Sequence, residues 1–199
     1  MKKIILLAAI TLASVGAYAQ HAVGTVTLQP KVGLNVANVT EEKDSKTRLG
    51  LAAGLEVEYQ LSDIVSLSAG AIYSQQGYKK DWVIGGVDYE RTAKLDYINV
   101  PILANVYVTK GLAVKLGLQP GFNISSKYNQ KVTTAGRVVE TTSDMKAQSV
   151  DFSIPVGLSY EFANVQLDAR YNWGISKVLK NKEDKNSVFQ ITLGYKFAL

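Results

Sequence analysis

The 199-residue chain contains no cysteine. That excludes disulfides, thiolate metal centres and lipid attachment through a cysteine after export. It contains one histidine, His21. Catalytic sets that need histidine as general base, and metal sites that need several histidines, lack material. His21 falls at the second position of the expected mature N-terminus and reads as a disordered terminal residue. Beyond the first 20 residues no apolar run is long enough for a membrane helix, which needs about 20 residues. Cationic excess is also scarce. The formal charge of +5 falls to +3 once Lys2 and Lys3 are removed, and the basic residues are scattered. Nucleic acid is therefore not an expected partner.

The opening stretch MKKIILLAAITLASVGAYAQ has the layout of an export signal. Lys2 and Lys3 form a positive start, residues 4–15 an apolar stretch, and Ala17, Tyr18 and Ala19 a small-x-small cleavage site. Residues 1–19 are assigned to a signal peptide and 20–199 to one barrel domain.

What the chain has in abundance is alternation. Period-2 patterning recurs at 26–39, 48–61, 64–76, 95–108, 112–125, 149–162, 165–176 and 187–198. In 48–61, Leu49, Leu51, Ala53, Leu55, Val57 and Tyr59 share one face, and Gly50, Gly54, Glu56 and Glu58 the other. In 165–176, Val165, Leu167, Ala169, Tyr171, Trp173 and Ile175 oppose Gln166, Asp168, Arg170 and Asn172. Most of these eight segments are longer than the usual strand of about 5–6 residues and suit the roughly 9–11 tilted residues that cross a bilayer.

The connections alternate as well. Tight turns fall near Ser62-Asp63, Thr109-Lys110-Gly111 and Ala163-Asn164. Long polar loops are expected at 39–48, 77–94, 126–147 and 177–187, with Gly85 and Gly86 as a turn in the second. Short turns at one end and long loops at the other define an all-β fold, an eight-stranded antiparallel up-and-down transmembrane β-barrel. Both termini then lie on the short-turn side, expected to be the periplasm.

Alternation also suits a soluble barrel with its apolar face inward. Two features favour the inverse. The apolar face runs nearly to the turns on every segment. Aromatics gather at segment ends: Tyr59, Tyr160, Phe162, Tyr195 and Phe197 at one end, Tyr73, Phe122, Phe152, Tyr171, Trp173 and Phe189 at the other. The polar face carries Lys31, Glu56, Glu58, Lys115, Asp151, Glu161, Asp168, Arg170 and Lys196. In so narrow a barrel these are expected to form an ion-pair network that plugs the lumen. Pro30, Pro101, Pro120 and Pro155 fall inside segments, where bulges or broken pairing are expected. Tyr97 and Tyr107 fall on the polar parity, which calls for a bulge near Pro101 or tyrosines in the lumen.

The last residues, TLGYKFAL, resemble the C-terminal signal read by the barrel assembly machinery, through Thr192, Gly194, Phe197 and Leu199. With KVGLNVANV, LDYINVPILANVY and ITLGYKFAL, the mature chain resembles the PorT-like outer membrane β-barrel family of small eight-stranded porin-family proteins. The resemblance implies an outer-membrane location and a partner in surface or secretion processes for some members.

No cofactor is expected, and no enzyme. Ser153 beside Asp151 lacks a base, and Glu41, Glu42 and Asp44 are interleaved with Lys43 and Lys46, as in a solvated loop rather than a calcium site. The leading expectation is a non-enzymatic barrel with extracellular loops for surface or partner interaction. The alternative is a narrow solute channel; an outer-membrane lipid hydrolase and a soluble ligand-binding barrel come behind. Lipid and lipopolysaccharide are expected partners, with Lys180 and Lys182 as contacts to lipopolysaccharide phosphates.

Overall fold

The computed structural model describes residues 21–40, 44–134, 137–178 and 184–199. The expected signal peptide lies outside these residues, as do Glu41, Glu42 and Lys43 in the first long connection. The described chain forms β1 (Val26–Val39), β2 (Ser45–Ser62), β3 (Val65–Ile84), β4 (Val87–Asn99), β5 (Ile102–Thr109), β6 (Leu112–Thr134), β7 (Arg137–Asp144), β8 (Val150–Phe162), β9 (Val165–Gly174), β10 (Asn186–Tyr195) and β11 (Phe197–Ala198). All pairings are antiparallel, and β1 closes on β10 and β11. β4 and β5 form one stave broken at Val100-Pro101, and β10 and β11 one broken at Lys196. The ring therefore has eight staves, while β7 stands outside it, paired to β6.

Local chemistry accounts for the turns. Ala163 and Asn164, at φ 48° and 67°, make a two-residue left-handed turn between β8 and β9. Gly85 and Gly86, at 57° and 78°, do the same between β3 and β4. Two successive positive φ values give the hairpin twist that matches the strands.

The apolar parity faces outward. Leu34, Leu55, Leu67, Ile102, Leu116, Leu158, Leu167 and Leu193 are each about half exposed, while Lys31, Glu56, Lys115 and Arg170 are buried. A closed ring with polar groups inside and bare hydrocarbon outside is stable only in lipid. From Val108 to Ile98 the stave climbs about 25 Å, at about 3.3 Å per residue and a tilt near 40°, which fits the hydrocarbon band of such barrels. Register places the two aromatic groups at opposite ends: Tyr59 pairs with Val26 and Phe162 with Val165, whereas Phe122 pairs with Ile98 and Val150 and Tyr171 with Phe189.

One expectation needs correction. The stretches 77–94 and 126–147 are not mainly loops. β3 and β4 continue as a hairpin through Ile84↔Val87, and β6 and β7 as another through Thr134↔Arg137. Polar composition suggested loop, but cross-strand partners make strands of polar residues once a hairpin has nucleated. At Pro30, Pro101 and Pro155 the second of the two expected outcomes holds: pairing is broken and the register is kept. Pairing between β1 and the last stave skips Gln29 and Pro30, yet resumes in register from Lys31↔Gly194 to Leu28↔Phe197. Pairing of β6 with β8 likewise skips the position opposite Pro155. The bulges lie elsewhere, one of them at Asp96/Tyr97. Tyr97 and Tyr107 both fill the lumen, at 1% and 4% exposure.

Candidate functional site: a filled lumen and a projecting sheet

The lumen is a stack of layers set by cross-strand register. Nearest the short turns, Lys196 Nζ lies 2.9 Å from Glu58 Oε2 and 2.8 Å from Glu161 Oε2. Glu58 Oε1 accepts from the Tyr107 hydroxyl at 2.6 Å and from the Ser66 hydroxyl at 2.7 Å. His21 Nε2 lies 3.2 Å from Glu161 Oε1, with the imidazole largely covered. His21 is thus docked rather than disordered, because the chain before β1 folds back over the short-turn mouth. Its partner is 140 residues away in the chain, so nothing local in the sequence signals it.

The next layer holds five charges. Lys31 meets Glu56 at 2.9 Å, Lys115 meets Asp168 at 2.7 Å, and Arg170 reaches Asp168 through Nε at 3.0 Å and Glu56 through Nη2 at 3.3 Å. Lys115 also donates to Gln166 Oε1 at 3.2 Å, which accepts from Gln29 as well. This layer has three cations and two carboxylates, the layer below it one cation and two carboxylates. Together, four positive groups meet four negative ones. Burying each singly would be costly; a balanced, hydrogen-bonded lattice lowers that cost.

Glycine makes the room. Lys31 is paired with Gly54 on one side and Gly194 on the other. Arg170 and Lys115 each face Gly157 on β8, and Glu56 faces Gly70. A Cβ at Gly157 would sit 2.5 Å from Arg170 Cβ. The long charged side chains occupy the volume these glycines leave empty.

Above the charges, Asn35 donates to Ser74 at 2.9 Å and accepts from Gln190 at 2.9 Å. Higher still, Asp151 accepts from Ser176 at 2.6 Å and Asn186 at 3.1 Å. Asp151 therefore stands apart from the other eight charges expected in the network. The far end is closed by an apolar cap of Val39, Tyr78, Ala93, Leu95, Tyr97 and Val178. Val178 is held by two backbone bonds of 2.8 Å, donating to Asp184 and accepting from Gln148. The alternation pattern missed this cap, since Val178 belongs to an irregular connection. Ser153 bonds Gln119 at 3.2 Å within the lumen.

Beyond the cap, the outer parts of β2, β3, β4, β6 and β7 form a sheet that leaves the barrel. On its axis-facing side Trp82 stacks on Tyr89 with centroids 5.5 Å apart. The Arg91 guanidinium sits 5.5 Å from both the Trp82 and Tyr128 rings. Lys46 pairs with Asp81 at 2.8 Å on the opposite side. Lys180 and Lys182 lie outside the described residues. Of the C-terminal positions, Thr192 faces the lumen, Gly194 pairs with Lys31, and Phe197 and Leu199 are exposed. Among the described residues no group of three histidine, cysteine or acidic side chains is placed to hold a metal.

A closed eight-stave ring with hydrocarbon outside and ion pairs inside defines an outer-membrane β-barrel. Residues 18–180 match the profile of the outer membrane protein beta-barrel domain family, and the chain belongs to it. No curated protein matches it. Among solved structures it is similar to Ail, the attachment invasion locus protein of Yersinia pestis, at 15% identity and TM-score 0.50 over 88% of this chain and 100% of that one. Neisserial surface protein A follows at 18% identity and TM-score 0.44, over 86% and 97%. OprG of Pseudomonas aeruginosa stands at 14% identity and TM-score 0.41, over 92% and 100%. At such identities the likeness concerns the fold.

Proposed function

We propose that the protein is a non-enzymatic outer-membrane barrel that conducts little or nothing and presents its projecting sheet for interaction at the cell surface. The observation that carries this is the filled lumen: a charge-balanced lattice at one end and an apolar cap around Val178 at the other. A barrel spending its interior on packing has its long outer strands left for contact. In this reading both termini are periplasmic, residues 1–19 are a cleaved signal peptide, and Thr192, Gly194, Phe197 and Leu199 serve recognition by the barrel assembly machinery. The PorT-like resemblance is consistent with a secretion or surface partner.

The test is single-channel recording of purified protein in planar bilayers. Brief, irregular events are expected; large steady conductance would overturn the reading in favour of a narrow solute channel. Lipopolysaccharide contact at Lys180 and Lys182 is a separate part of the proposal. Reversing both charges should weaken lipopolysaccharide binding, and unchanged binding removes that part.

A further inference from the structure

A closed barrel has no free strand edge, but the projecting sheet has one. β7 pairs with β6 from Lys127↔Asp144 to Thr134↔Arg137, and with no other strand among the described residues. All eight of its residues are exposed.

The phase of its hydrogen bonds is fixed. Met145 N donates to Ser126 O at 3.0 Å, continuing the β6–β7 register by one pair. Bonded and non-bonded pairs alternate in an antiparallel ladder. Arg137, Val139, Thr141 and Ser143 therefore spend their backbone groups on β6. Val138, Glu140, Thr142 and Asp144 turn theirs away from it, with no backbone partner among the described residues.

Proteins usually guard such an edge with proline, lysine, a bulge or a short length. β7 has no proline, no lysine and an unbroken register against β6; its charges are Arg137 on one face and Glu140 and Asp144 on the other. Its Val-Val and Thr-Thr steps favour extended backbone.

We propose that β7 is a docking edge that takes up an extended segment of a partner protein as an added strand, with basic residues in that segment opposite Glu140 and Asp144. The charge requirement follows from the ladder. Along one row of the outward face, Glu90, Lys131 and Glu140 alternate in sign across β4, β6 and β7. Along a lower row, Lys127 is followed by Asp144. A basic side chain continues each row, and the two fall four residues apart on one face of the incoming strand. A second copy of β7 lacks them, because its outward-face residues are Val138, Glu140, Thr142 and Asp144. The assignment rests on the sheet being the interaction surface and names the partner's chemistry.

The test uses the full protein in lipid nanodiscs and three synthetic ten-residue peptides. The first alternates threonine and valine and carries two lysines four apart. The second has glutamates in place of the lysines. The third is the lysine peptide with alternate backbone nitrogens methylated. Binding is read by fluorescence anisotropy and by hydrogen exchange of β7. The lysine peptide should slow exchange at 138, 140 and 142 by at least about tenfold, and bind at least about tenfold tighter than the glutamate peptide. The methylated peptide should not bind. Thr142→Pro removes an outward N–H without touching the β6 ladder and should abolish binding; Asp81→Asn, elsewhere on the sheet, should not. No slowed exchange with the lysine peptide, undiminished binding by Thr142→Pro, or equal binding of the methylated peptide overturns the proposal. Equal binding of the glutamate peptide overturns its charge requirement. Single-channel recording on the same sample judges the closed barrel separately, so a conducting barrel that binds the peptide and a closed one that does not are distinct failures.

Discussion

Leu167 and Asp168 are consecutive in β9 and meet opposite media: the leucine is 50% exposed and the aspartate 1%. Leu167 looks into lipid. Asp168 lies 2.7 Å from Lys115 Nζ and 3.0 Å from Arg170 Nε. The inversion of a soluble protein is thus contained in one peptide unit.

Placing a cation at an outward position tests that inversion. Leu158→Arg, on the same outward wall and two residues further into the barrel than the belt residue Tyr160, should destabilise the barrel in bilayers by about 2–4 kcal/mol. Val138→Arg, on the projecting sheet, should change stability by less than about 0.5 kcal/mol. Urea titration of refolded protein in liposomes measures both. Equal costs would place the two residues in the same medium.

Removing a carboxylate from the lattice unbalances it. Asp168→Asn leaves Lys31, Lys115 and Arg170 facing Glu56 alone, and should cost about 3–5 kcal/mol. Adding Lys115→Met should recover part of that loss, since the excess charge goes with it. A double-mutant cycle that is additive would show that the pair at 2.7 Å contributes no coupling.

The glycine opposite Arg170 should be irreplaceable by a branched residue. Gly157→Val places its side chain where the Arg170 side chain lies. Folding yield should fall well below that of Gly86→Asn, a substitution at an open turn whose φ of 78° asparagine tolerates. Gel mobility before and after heating reads the folded fraction.

The aromatic belt is checked with light. Trp173 is exposed on the barrel wall and Trp82 lies on the projecting sheet. In Trp82→Phe protein, the remaining emission from Trp173 should be quenched by lipids brominated near the headgroup. In Trp173→Phe protein, emission should respond instead to aqueous acrylamide.

Much of the fold was legible because its signal is local. Side chains alternate across a strand whatever its neighbours do, so the order alone puts Leu55 and Glu56 on opposite faces, and the aromatic ends and the apolar face running nearly to the turns put Leu55 outside. The broken stave at Pro101 was legible for the same reason, since proline removes its own donor. The hairpins beyond Gly77 and Lys127 were not. Strands of lysine, aspartate and threonine hold only when a neighbour pairs with them, and composition carries no record of the neighbour. The docking of His21 on Glu161 and the cap at Val178 escaped for a related reason: each joins segments far apart in the chain.

The sequence by itself determined the eight-stave barrel, its two aromatic ends and the side of each strand that avoids lipid, because a two-residue period is written residue by residue. Only the tertiary structure decided that Lys31 sits between Gly54 and Gly194, that Arg170 bridges Glu56 and Asp168, that Asp151 stands apart, and that β7 keeps an open edge. Those are matters of register. Sliding one strand past the next by two residues preserves every inward and outward face while changing every partner, so the pattern of faces cannot contain the list of contacts.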